Sequence, residues 1–118
     1  MIFPANIQIQ NIDGLFQNCN VLTSVSIPTS VTSIGANTFS GCTALKKVTI
    51  STNISSVNSL AFTGCSNINL VISSETNKIS SNFLKNVAEV SSITISSGIT
   101  TIGENAFRGT SIKSIIWG

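Results

Sequence analysis

The sequence predicts a solenoid, in which short coils of chain stack on one another with a narrow parallel β-sheet down one side and tight turns down the other. Three observations predict it. One phrase nearly recurs, as PTSVTSIGANTFSGC at 28–42, STNISSVNSLAFTGC at 51–65 and SSGITTIGENAFRGT at 96–110. Phenylalanines mark a period close to 23, because Phe16, Phe39, Phe62, Phe83 and Phe107 stand 23, 23, 21 and 24 residues apart. Finally, so short a unit cannot bury its own Leu, Val, Ile and Phe, so each must lay them against the units before and after it.

Two different periods assign the elements within a unit. Leu22-x-x-Val25-x-Ile27, Leu45-x-x-Val48-x-Ile50, Val90-x-x-Ile93-x-Ile95 and Ile112-x-x-Ile115-x-Trp117 alternate apolar and polar residues and are β-branched, which predicts a short strand with one buried face. Stacking pairs these strands in parallel, about 4.8 Å apart. Between the strand and the Phe runs Ile27…Val31…Ile34…Phe39, matched by Ile50…Ile54…Val57…Phe62 and Ile95…Ile99…Ile102…Phe107. In Gly35-Ala-Asn-Thr-Phe-Ser-Gly-Cys42 the apolar residues step by three between glycines, which suits a single tight turn or a 3₁₀ piece. Three residues after each Phe stand Cys19, Cys42, Cys65, Asn86 and Thr110. Only Ser80–Glu89 reads as a short α-helix, near 81–88, with Ser80 or Ser81 as cap and Phe83 and Val87 four apart.

A chain of 118 residues with 42% apolar content supports one core, so 1–118 reads as a single domain. Six Lys/Arg and four Asp/Glu are scattered, and the net charge of +2 forms no basic stripe for phosphates, which argues against a nucleic-acid partner. Apolar runs such as Ile115-Ile-Trp117 fall far short of a membrane span, and MIFPAN lacks the make-up of a signal peptide. Ser, Thr and Asn do the work of charge in keeping the surface wet.

Written as a template, Cys-x-x-Leu-x-x-Val-x-Ile-x-x-x-Val-x-x-Ile-x-x-x-x-Phe resembles the leucine-rich repeat of the Treponema pallidum class, known from BspA-like surface proteins. Residues 42–62, CTALKKVTISTNISSVNSLAF, fit throughout, and 19–39, CNVLTSVSIPTSVTSIGANTF, fit as well. Phe3-Pro4-Ala-Asn-Ile7 repeats Ile27-Pro28-Thr-Ser-Val31, as the tail of a further unit would. The stretch 66–83 departs from the template: it is short, it puts Thr76 or a neighbour where Val or Ile belongs, and either Leu70 and Ile72 or Val71 points inward. The resemblance implies a right-handed leucine-rich repeat solenoid of about five repeats, a fragment of a longer protein, with the sheet concave and loops or 3₁₀ turns convex. It also implies display on a cell surface and adhesion to host proteins, host cells or other microbes.

Chemistry-bearing residues are few. Three cysteines at intervals of 23, with no His in the chain, lack the paired spacing of a zinc site, and their odd number argues against a disulfide framework; they read as small buried fillers. Without His or Tyr, and with its carboxylates in different coils, the chain assembles no triad or acid/base pair, so no catalytic residue, cofactor or metal site is expected. The outward residues of the strands make the candidate ligand-binding wall: Ser24 and Ser26, Lys47 and Thr49, Asn69 and Val71, Ser92 and Thr94, Ser114 and Ile116. It is small, neutral and hydroxyl-rich, suited to glycans or polar peptide surfaces, and it equally reads as a solvated face without a task. Lys46-Lys47 reads first as a solubility feature, and Asn53-Ile54-Ser55 is a lone glycosylation sequon. Trp117 falls in the slot of Ile27 and Ile50, where its ring would close the core while the last strand leaves an unpaired edge for end-to-end association with a second copy or with flanking repeats. A spacer or assembly unit is therefore the alternative to adhesion. Ice binding by Ser/Thr rows is a third, weakened by the unlike residues Ser24, Lys47, Asn69 and Ser92.

Overall fold

The computed structural model describes residues 11–12, 16–65, 67–73 and 77–118. Among them lie ten strands: β1 (Asn11–Ile12), β2 (Ser24–Ser26), β3 (Ser33–Ile34), β4 (Lys47–Ser51), β5 (Ser56–Val57), β6 (Ile68–Ser73), β7 (Lys78–Ile79), β8 (Val90–Ile95), β9 (Thr101–Ile102) and β10 (Ser114–Trp117). Five of them form one parallel sheet in the order β10-β8-β6-β4-β2, so each coil adds one strand beside the last. The two-residue strands make a second side of the coil, as β1-β3-β5 and β7-β9, also parallel.

The alternation in the strands sorts side chains as expected. Val25, Val48, Leu70 and Ile93 form one buried row in register, and Ile50, Ile72 and Ile95 the next, with the exposed Ile115 and Trp117 continuing the two rows on β10. The ambiguity at 66–83 resolves with Leu70 and Ile72 buried and Val71 facing out. One residue is missing between Ile68 and Leu70 relative to Leu45 and Val48, and the sheet absorbs it as an irregularity at Ile68/Asn69 opposite β8. Residues 1–10 and Thr76 lie outside the described residues, and so does the repeat read into Phe3–Ile7.

No helix forms at 81–88. The segment is the coil's corner, and its amides are drawn to the next coil: Asn82 N–H donates to Glu104 O, Leu84 to Ala106 O and Asn86 to Arg108 O, at 2.9, 2.7 and 2.7 Å. Asn82 and Asn86 take positive φ of 60° and 62°, which an α-helix excludes. Ser80, expected as a cap, has its hydroxyl buried with no hydrogen-bond partner. Beneath it Gly103 lies so close that a Cβ would run into the backbone of Ser80 and Ser81.

These bonds also move the fourth unit by one residue. Phe16 N–H donates to Thr38 O and Phe39 to Ala61 O, each to the residue before the next coil's Phe; Leu84 donates to Ala106, the residue before Phe107. Leu84 therefore holds the Phe position and Val87 the Cys position, as the parallel turns Cys65 N–H to Phe62 O and Val87 N–H to Leu84 O confirm. Phe83 instead takes the slot that Thr38, Ala61 and Ala106 fill, all of them small and buried, which leaves room for its ring. The ring column thus runs Phe16–Phe39–Phe62, with centroids 5.4 and 5.3 Å apart and planes within 7° and 3° of parallel, and Leu84 takes the equivalent position in its own coil.

Hydroxyls tie coil to coil where the ladder stops. Ser73 Oγ donates to Ile50 O at 3.1 Å, Ser96 Oγ to Ile72 O at 2.8 Å and Ser55 Oγ to Thr32 O at 3.2 Å. The Ser-rich composition has this local cause: a small donor at each corner satisfies a carbonyl of the coil before.

Candidate functional site

The ten wall residues come together as two rows. Register aligns Ser24, Lys47, Asn69, Ser92 and Ser114, and beside them Ser26, Thr49, Val71, Thr94 and Ile116. Every one is exposed or half-buried, with its strand neighbours Val25, Val48, Leu70 and Ile93 buried beneath. Strand alternation alone produces this face, because a parallel pairing without slippage keeps each outward position on the same side.

The face changes along its length. Between β2 and β4 it holds an open hollow of about 190 Å³ lined by Ser24, Val25, Ser26, Lys47 and Thr49. In the middle the polar groups engage one another, Ser92 Oγ and Thr94 Oγ1 both approaching Asn69 Oδ1 at 2.9 and 3.5 Å. Val71 on β6 and Ile116 on β10 are its two apolar members, separated by Thr94. Neither row contains an Asp or Glu, and Lys46 and Lys113, whose amides bond to Thr23 and Ser91 of the coil before, extend the positive character along the rim.

The expectation for Trp117 is corrected. Its backbone pairs with Ile95 in the predicted slot, but the side chain is 63% exposed and closes no core, because among the described residues nothing packs on its far side. Ile102 and Ile115, whose counterparts Ile79 and Ile93 are fully buried, are likewise exposed at this end.

The cysteines sit in one column with their thiols turned to the backbone. Cys42 Sγ donates to Phe16 O at 3.0 Å and Cys65 Sγ to Phe39 O at 3.1 Å, while Cys19 is half-buried and all three are free. Burial pushes the Cys42 thiol up and the Cys65 thiol up to about 11, with the neighbouring cysteine adding to the second. A thiol so held stays protonated at neutral pH and is a poor nucleophile or ligand. Among the described residues no group of His, Cys, Asp and Glu could hold a metal ion, and no helix is long and apolar enough to cross a membrane. Asn53 of the sequon is exposed, with its Nδ2 donating to Thr29 O at 3.1 Å.

Sequence reasoning missed Leu84, and it set Val87 on a helix face where the structure gives it the cysteine position; a usable signal existed for both. Asn37, Asn82 and Asn105 all adopt positive φ, as do Gly41, Asn86 and Gly109 four residues later. Aligning NTFSG, NFLKN and NAFRG on those turn residues, instead of on phenylalanine, places Leu84 with Phe39 and Phe107.

A stack of coils, each contributing one strand and one corner with a buried Phe or Leu, defines a leucine-rich repeat solenoid. The sequence matches the family model described as BspA type leucine rich repeat region, in six copies over residues 10–118. The chain belongs to this family. A solved structure described as a leucine rich cell surface protein from Faecalibacterium prausnitzii is similar at 16% identity, over 98% of this chain and 68% of that one, with a TM-score of 0.36. Among curated protein sequences nothing matches.

Proposed function

We propose that the chain is a non-catalytic binding module of a surface-displayed protein, which contacts proteins or glycans of host or neighbouring cells through the outward face of its sheet. The observation that carries this reading is the unbroken register of the two rows from β2 to β10, which sets ten side chains, eight of them polar, in a continuous, accessible strip. Membership of a family built from such repeats agrees with it. Contacts on so neutral a strip are individually weak, and many coils displayed together add up through effective concentration.

Binding of the purified chain to arrays of matrix proteins and glycans tests the reading. Lys47→Glu, Thr49→Arg and Thr94→Arg should each abolish the signal without moving the thermal midpoint, because all three positions point away from the core. Binding that survives all three places the contact elsewhere and overturns the proposal.

A second reading has its own observation: Trp117 and Ile115 are exposed on β10, whose outer edge is unpaired within the described residues, and Ile102 is exposed on β9. Association of copies through that end would make the chain a spacer or assembly unit. Concentration-dependent sedimentation that Trp117→Asp abolishes supports it, and a chain that stays monomeric at high concentration excludes it.

A further inference from the structure

The face proposed above as the binding surface is not uniform, and the hollow between β2 and β4 has a definite chemistry. Ser24, Ser26 and Thr49 surround it with hydroxyls that both donate and accept, and Lys47 contributes the only charge in either row. No carboxylate belongs to the wall to neutralise that ammonium. At about 190 Å³ the space suits one ring-sized polar group. A partner protein is the poorer fit, since interface hot spots centre on Trp, Tyr and Arg, whereas Ser, Thr and Val are under-represented among them. A ligand with many hydroxyls, one carboxylate and a ring face to lie against Val25 answers this lining.

Resting on the proposal that this face binds, we infer that the hollow between β2 and β4 takes a uronic-acid unit of an acidic glycan. Its carboxylate meets Lys47 Nζ, and its ring hydroxyls exchange hydrogen bonds with Ser26 and Thr49. Specificity for an acid sugar over a neutral one then comes from a single ammonium, and it weakens with salt as an exposed ion pair must.

Amide NMR titration of the whole chain with a galacturonic acid trisaccharide, the matching galactose trisaccharide and a short poly-glutamate tests it. The acidic sugar should shift residues 24–26 and 47–49, bind about two- to fivefold more tightly than the neutral one, and lose that advantage in Lys47→Gln but not in Lys113→Gln. Equal binding of the two sugars, shifts confined to other residues, or no shifts at millimolar sugar would overturn the inference. So would poly-glutamate binding at the same residues as well as the acidic sugar, since the hollow would then read charge alone. If the sugars fail while a protein ligand is captured and lost on Thr94→Arg, the inference falls and the binding face stands; if no ligand of any kind depends on the face, both fall.

Discussion

Leu84 donates its backbone N–H to the carbonyl of Ala106 at 2.7 Å, and that bond fixes the register of the fourth coil. Asn86 is thereby a turn residue with φ of 62°, and Val87 a core residue with no exposure. The two sites should respond oppositely. Asn86→Gly, which suits a left-handed backbone, should leave stability within about 0.5 kcal/mol, and Asn86→Ala should lose about 1 kcal/mol. Val87→Asn, which buries an amide in place of an alkyl group, should lose about 2 to 4 kcal/mol in urea unfolding. The opposite order would restore Asn86 to the cysteine column.

The ring column makes a graded prediction. Phe39 lies between Phe16 and Phe62 with no exposure, so Phe39→Ala should cost about 3 to 5 kcal/mol. Phe39→Leu should cost much less, about 1 to 2 kcal/mol, because Leu84 shows that the position accepts a leucine and the residual loss is mostly the ring contacts. Equal losses for the two variants would mean that stacking itself, not filling of the slot, holds the column.

Close approach makes Gly103 a sensitive position. Gly103→Ala should destabilise by about 1 to 3 kcal/mol, since the new methyl meets rigid backbone at Ser80 and Ser81 and one coil must shift from the other. Ser97→Ala, at an exposed turn, is the matched control and should be neutral. Chemical denaturation of both variants decides it.

Stability should also fall in alkali for a stated reason. The Cys65 thiol ionises near 9.0 when unfolded and near 11 when buried, so between those values the folded chain holds a proton that the unfolded chain has released. Folding binds the extra proton, and stability declines as pH rises through that window; below it both states are protonated and the thiol contributes no pH dependence. The loss from pH 8 to 10.5 should be smaller in Cys65→Val than in the parent by on the order of 1 to 2 kcal/mol. An identical pH profile for the two would show that the thiol is not held protonated by the fold.

Much of this architecture was legible because its causes are local and repeated. Alternation at Val48 and Ile50 fixes which side of β4 is buried, and stacking then fixes the partner strands and both outward rows. Phe83 was misleading because it is the residue type that marked the period, while the steadier marker, a left-handed turn residue two positions after the core ring or Leu84, is spelled as Asn18 and Asn86 but as Gly41, Gly64 and Gly109. The helix over 81–88 failed for the same kind of reason: amphipathic spacing between Phe83 and Val87 is satisfied equally by a corner whose amides bond outward to the next coil. Strand alternation could locate the wall but not its hollow, which depends on how Lys47 and Thr49 sit beside the smaller Ser24 and Ser26.

The dependence of each coil on its neighbours is tested most directly by methyl and aromatic NOEs across the stack. The register predicts contacts along Val48–Leu70–Ile93 and Phe16–Phe39–Phe62, together with backbone amide contacts between Leu84 and Ala106. Rows displaced by one residue, or a Phe83 amide in the place of Leu84 beside Ala106, would contradict it.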